Sequence, residues 1–510
     1  MQTESEVRSR PRAEHASLES FLANTLTPAQ RQSFGFVSFS QWDFSLAALC
    51  DVAVEAQQKR SKVTLALWAN DSPLRDTGWT TSRSIARILR SIPIDCAAES
   101  SLRSAGIEAE AFARPPINKW SPIALPAIAS PINRTRIREL TYHGAPMGRA
   151  ILQVHPNLNT PFAEEHVWPI RWVRKAAESY AWAYDQTQAL IDERGITTLV
   201  VYNGRFLHDR AAADAAAMRG IPVLFYDSGG ADTDYDLTLA ETHDWADLQQ
   251  RMKVMYDRWP DGDQDAIGAS WFEDRIRHED PELAVFVGAQ TRGYMVDLPK
   301  KDLTVAYFGS SGDEMIELDL DWNEFFGSQE NALLQLAGEC RKRQNCTLIV
   351  RTHPHMRIKP SQDLESWTKA VNAAAPDLHL GPDSAADSYE LVNQADIVFT
   401  YGSTVGVEAA FAGKPVVVMG PNAYTDLGCA TPVTTTDEIA RYLDEPPLAN
   451  PAGALLYGLM MRRRGFNYTW VRRDDDGVPV LSGVRIDQAS TLSQKVSDAL
   501  NKARRWWLNN

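Results

Sequence analysis

Eight short apolar runs, each closing on glycine, serine, aspartate or histidine, constrain this chain more than any other feature. The first series is "FGFVSFSQWD" from residue 34, "VTLALWANDS" from 63, "TLVVYNGRF" from 198 and "PVLFYDSGG" from 222. The second is "LTVAYFGSSGDE" from 303, "CTLIVRTHPH" from 346, "DIVFTYGSTVG" from 396 and "PVVVMGPNAY" from 415. Runs without strict alternation, separated by helical patterns, are those of parallel strands buried on both faces. Two doubly wound, Rossmann-like α/β domains are therefore expected, and 510 residues suit two cores better than one.

The domain limits follow from changes in texture. We expect an N-terminal tail over 1–30, a first Rossmann-like domain over 31–238, connecting helices over 239–300, a second Rossmann-like domain over 301–484 and an amphipathic C-terminal helix over 485–510. In the connecting stretch Leu248, Met252, Met255 and Tyr256 recur at helical spacing, and "PDGD" at 260 divides it into two helices. The proline-rich stretch from 100 to 170 predicts long loops over the first domain. Trp506 and Trp507 leave the last helix open to two uses, packing across a domain boundary or peripheral contact with a membrane surface.

Composition removes several function classes. A net charge of -14 opposes a general field for nucleic acid. No apolar run reaches eighteen residues and the first twenty contain no apolar stretch, so a cytoplasmic protein is expected, at most touching the inner face of a membrane. Cys50, Cys96, Cys340, Cys346 and Cys429 are scattered without a CxxC pair, as reduced thiols would be.

In open parallel sheets, ligands bind beyond the carboxyl ends of the strands. In the second series those ends carry Ser310 and Ser311, His353-Pro354-His355, and Gly402, Ser403 and Thr404. Glycine allows close backbone approach, hydroxyls donate, and helix-start amides after Thr404 attract an anion, so this is a phosphate site by composition. Glu408, four residues after Thr404, lies about 6 Å along the same helix face, in reach of the hydroxyls of a ribose whose phosphate is held at the helix start. "GSTVG" is neither GxGxxG nor a P-loop, which removes the dinucleotide and NTPase fingerprints. His353 precedes a proline that holds it in extended backbone, and its imidazole could donate as charge develops on a leaving group. In the first series the strand ends carry Asn203, Arg205 and Asp227, and Asp43 lies in the loop after the first strand. Asp319 and Asp321 form a DxD in an acidic stretch read as a solvated face, and "HPH" lacks a third ligand, so no metal is expected.

The order "HPH" followed by "SYELVNQADIVFTYGSTVGVEAAFAGKPVV" resembles the donor half of two-Rossmann (GT-B) glycosyltransferases of bacterial capsule and surface-polysaccharide biosynthesis, most specifically over 301–425. It is also similar to the HP-motif sialyltransferases and Kdo transferases. His353-Pro354 matches their HP motif and Ser403-Thr404 their serine-threonine motif, whereas in "YDSGG" Asp227 matches the catalytic acid and Ser228 stands in place of the second acid. The resemblance implies an inverting, metal-independent transfer of a sugar from a nucleotide-linked donor, CMP, UDP or another, to a glycan or glycolipid hydroxyl, without a cofactor, with Asp227 or alternatively Asp43 as general base and Asn203 and Arg205 on the acceptor or sugar side. A sugar-nucleotide epimerase of the same architecture and a non-catalytic glycan-binding scaffold are the alternatives.

Overall fold

In the computed structural model, residues 17–39, 43–68, 95–122, 125–153, 166–241, 244–280, 283, 287–299, 301–311, 326–358 and 361–486 are described. All eight expected strands form. The first sheet is built on β1 (Ser33–Ser38), β2 (Lys62–Leu67), β3 (Thr198–Tyr202) and β4 (Val223–Ser228), mutually parallel, and with β5 (Asp234–Thr238) and β12 (Phe466–Asn467) it runs in the order β12-β5-β4-β3-β1-β2. The second runs β11-β10-β9-β6-β7-β8, all parallel, on β6 (Leu303–Phe308), β7 (Cys346–Arg351), β9 (Ile397–Thr400) and β10 (Val416–Val418), with β8 (Leu378–Leu380) and β11 (Thr431–Pro432) at its edges. Apart from the half-buried Leu303 the residues of β6, β7, β9 and β10 are buried, as strands covered by helices on both faces must be.

Three features depart from the expected division. β5 (Asp234–Thr238) turns back antiparallel to β4, and β12 (Phe466–Asn467) pairs with it, so the chain re-enters the first sheet after completing the second. Residues 466–484, expected in the second domain, and 485–486, expected in the C-terminal helix, instead place Phe466, Val471, Leu481 and Ile486 in the core around β1 and the helix Asp43–Gln58. The helix Leu18–Thr25, within the expected tail, buries Phe21 in that same core, 5.4 Å from the Phe466 ring. The proline-rich region also differs: it contains short helices at Arg134–Arg138 and Met147–Leu152, whose apolar residues pack under the 25-residue helix Ile170–Arg194. Of the expected C-terminal helix only residues 485 and 486 are described, and Arg485 closes the short strand Val484–Arg485; the rest, with Trp506 and Trp507, lies outside the described residues.

The connecting helices form as expected, at Trp245–Asp257 and Gln264–Ile276. The second lies against Ala452–Arg463 so closely that a Cβ on Gly458 would come within 2.2 Å of the Gly268 carbonyl oxygen. Two glycines permit this approach, and Met252, Phe272, Tyr457 and Met460 pack around it into the second-domain core. That packing carries Arg275 to the ends of the second sheet. No helix among the described residues is long and apolar enough to cross a membrane.

Candidate functional site

A cavity of about 450 Å³ opens beyond the carboxyl ends of β6, β7 and β9. Ser310, Ser311, His353, Gly402, Ser403, Thr404 and Glu408, spread over a hundred residues of sequence, all line it. Right-handed crossovers in a parallel sheet deliver successive loops to one edge, which is why separated motifs converge here.

Local bonds fix most of these groups. Gly402 has φ +74°, a left-handed conformation that suits glycine, and it turns the chain from β9 into the helix Val405–Phe411. The Ser403 amide donates to Thr400 Oγ1, and the Tyr424 hydroxyl donates to the Ser403 carbonyl at 2.6 Å. Tyr424 occupies the space that a Cβ on Gly406 would enter. His353 Nδ1 accepts the His355 amide at 3.2 Å, so the neutral imidazole carries its proton on Nε2 and is a donor there.

Two expectations are corrected by the hydrogen bonding. The helix-start amides expected to cradle an anion are in use, that of Val405 donating to Ser403 Oγ and that of Gly406 to the Ser403 carbonyl. Those two amides are therefore not available to an anion. Glu408 is not a free carboxylate: it is 6% exposed, and its Oε1 accepts from Arg275 Nε at 2.7 Å. Arg275 also donates to Asp280 Oδ2 at 2.9 Å and lies over the Trp271 ring. Burial alone would make its guanidinium more acidic, but Glu408 and Asp280 outweigh that and hold it firmly charged.

Arg275 and Arg351 are the cavity cations that motif reading missed. Arg275 sits in an amphipathic helix with no local sign of a site, and a helical period registers only that one face is buried. Arg351 was legible, as a charged residue closing an otherwise apolar strand two positions before His353. Burial makes its guanidinium more acidic, to about 10, partly opposed by Asp387.

The first-domain candidates also come together. Asp227 is the penultimate residue of β4, where its Oδ1 accepts from the Ser228 amide at 2.7 Å and from the Tyr202 hydroxyl at 3.4 Å, and its Oδ2 accepts from Asn203 Nδ2 at 3.2 Å. Asn203 Oδ1 in turn accepts the Arg205 amide. Burial, and next the Asp227 charge, push the Tyr202 hydroxyl far above its ordinary pKa, so it stays a donor. Asp43 begins the helix after β1, and its side chain lies outside the described residues, as do Asp319 and Asp321. No group of three metal-ligating side chains occurs among the described residues.

Two Rossmann-like units in one chain, with a cavity beyond the strand ends of the second, give it a two-Rossmann architecture of the GT-B type. Residues 313–448, about a quarter of the chain and most of the second unit, match the family described as capsule polysaccharide biosynthesis protein. No curated protein sequence matches the chain. Among solved structures, the chain is similar to KpsC of Thermosulfurimonas dismutans, in its beta Kdo 2,7 transferase (14% identity over 54% of this chain and 80% of that one, TM-score 0.32) and its beta Kdo 2,4 transferase (13%, 52% and 79%, 0.34). It is also similar to the UDP-GlcNAc 2-epimerase of Neisseria meningitidis bound to UDP-GlcNAc (10%, 92% and 99%, 0.28). Likenesses this distant carry no information on substrate.

Proposed function

We propose that the protein is a glycosyltransferase of surface-polysaccharide synthesis that moves a sugar from a nucleotide-activated donor to a glycan hydroxyl. The observation that carries this reading is the cavity that His353, Ser403 and Glu408, all within the segment with the capsule-biosynthesis match, share with Ser310 and Ser311 just before it.

In this reading the donor nucleotide lies in that cavity with its anomeric carbon toward the first domain. Asp227, oriented by Tyr202 and Asn203, takes the proton of the acceptor hydroxyl as that oxygen attacks the anomeric carbon. The bond from that carbon to the phosphate oxygen breaks, its electron pair stays on the phosphate, and the configuration inverts. His353 Nε2–H and the hydroxyls of Ser403 and Thr404 donate to the departing phosphate, where an interaction that strengthens with developing charge accelerates the step.

Asp227→Asn tests the assignment. Sugar transfer from nucleotide sugars to a capsule-type acceptor should fall by about three orders of magnitude or more, with donor binding by calorimetry unchanged. Full activity in the variant transfers the role to Asp43. Formation of an epimerised nucleotide sugar without acceptor would replace transfer by epimerisation.

A further inference from the structure

The cavity contains two buried polar groups that the protein leaves unsatisfied. Arg351 is 2% exposed; its Nε has no hydrogen-bond partner, and its terminal nitrogens reach only the Ser384 carbonyl, at 3.3 and 3.5 Å. No carboxylate among the described residues pairs with it. Asp387, the nearby acid, is engaged with the amides of Gly293 and Tyr389. Tyr389 is 8% exposed, and its hydroxyl, beside the Arg275 guanidinium, has no acceptor for its proton. An unsatisfied buried donor costs stability, and two lining one cavity mark a place where a ligand supplies acceptors.

The surroundings indicate which part of a ligand. Arg351 follows Ile349 by two residues and so faces the side of the sheet that Phe308 and Ile349 share. Leu283, Val287 and Phe308 add apolar wall to the cavity, whereas its hydroxyls and imidazole come from Ser310, Ser403, Thr404 and His353. A phosphate fits the hydroxyls and would be stripped of water against the apolar wall. A flat heteroaromatic ring has apolar faces and a polar edge, and suits that wall.

Resting on the glycosyltransferase reading, we infer that the apolar part of the cavity takes the donor's nucleobase, and that Arg351 and Tyr389 donate to an acceptor-rich edge of it. Cytosine presents two neighbouring acceptors at O2 and N3, and guanine at O6 and N7. Uracil places an N3–H between its acceptors, and adenine sets an amino group beside N7. Arg351 and Tyr389 are thus specificity-determining residues for the base.

Calorimetry of the full chain with CMP, GMP, UMP, AMP and ribose 5-phosphate tests this. CMP or GMP should bind about tenfold or more tighter than the other three ligands. Arg351→Gln and Tyr389→Phe should each weaken that nucleotide by about tenfold and leave ribose 5-phosphate unchanged; Tyr389→Phe removes one oxygen and keeps the packing. Preference for UMP or AMP, or full affinity in both variants, overturns the inference. An equal loss for ribose 5-phosphate makes Arg351 a phosphate ligand and overturns it as well. If wild-type protein binds none of the five ligands, the glycosyltransferase reading falls, and this inference with it.

Discussion

Glu408 illustrates how one residue's neighbours change what its spacing implies. Four residues after Thr404 it lies on the expected helix face and at the cavity, yet it is also the counter-ion of Arg275, 133 residues away in sequence. Glu408→Ala leaves a buried guanidinium with Asp280 alone, which should cost about 3 kcal/mol of stability in urea denaturation. Arg275→Met added to Glu408→Ala should recover part of that loss, because the uncompensated charge is gone. Any change in donor affinity for Glu408 variants is therefore meaningful only beside a stability measurement. Ser403 gives the companion case: its type and position were legible, whereas its Oγ accepting the Val405 amide depends on a turn that spacing alone does not specify.

At the level of elements, the parallel strands were legible because burial on both faces writes continuous apolar runs. β5 was not. "DYDLT" alternates acids with apolar residues, and its acids are held by contacts from outside the strand. Asp236 receives a two-pronged bond from Arg251 of the helix Trp245–Asp257, at 2.7 and 3.0 Å. Burial would raise the Asp236 pKa, but the Arg251 charge and bonds outweigh it and hold the carboxyl below its ordinary value. A carboxyl with a depressed folded-state pKa stabilises the fold above its unfolded pKa, about 4, and loses that contribution as pH falls through the folded value. Stability should therefore fall as pH drops below about 4, and Asp236→Asn should flatten that slope in chemical denaturation at a series of pH values. The connection also explains how the connecting helices bind both units: Arg251 grips the first sheet, while Met252 and Phe272 lie in the second core.

Across the whole molecule, the chain leaves the first unit near β5, builds the second and returns. The return is fastened by Asp51, buried in the helix Asp43–Gln58, whose Oδ1 accepts the amides of Thr469, Trp470 and Val471 at 2.9, 2.6 and 3.1 Å. Its Oδ2 accepts the Tyr235 hydroxyl. Asp51→Ala should lower stability by about 3 kcal/mol or more, since each amide left buried and unpaired costs roughly 1–3 kcal/mol. Thermal unfolding of the variant checks this, and an unchanged midpoint would mean that the return segment is held by its apolar contacts alone. By itself the sequence determined the two sheets, their strand ends and the chemical character of the cavity edge of the second sheet, because strand burial and turn chemistry depend on neighbours a few residues apart. Only the tertiary structure decided that Arg275 neutralises Glu408, that Arg351 and Tyr389 stand unsatisfied in one cavity, and that residues 466–486 complete the first unit. Those outcomes depend on which distant segments share a surface, and the energy of a buried polar group is set by that surface rather than by its place in the chain.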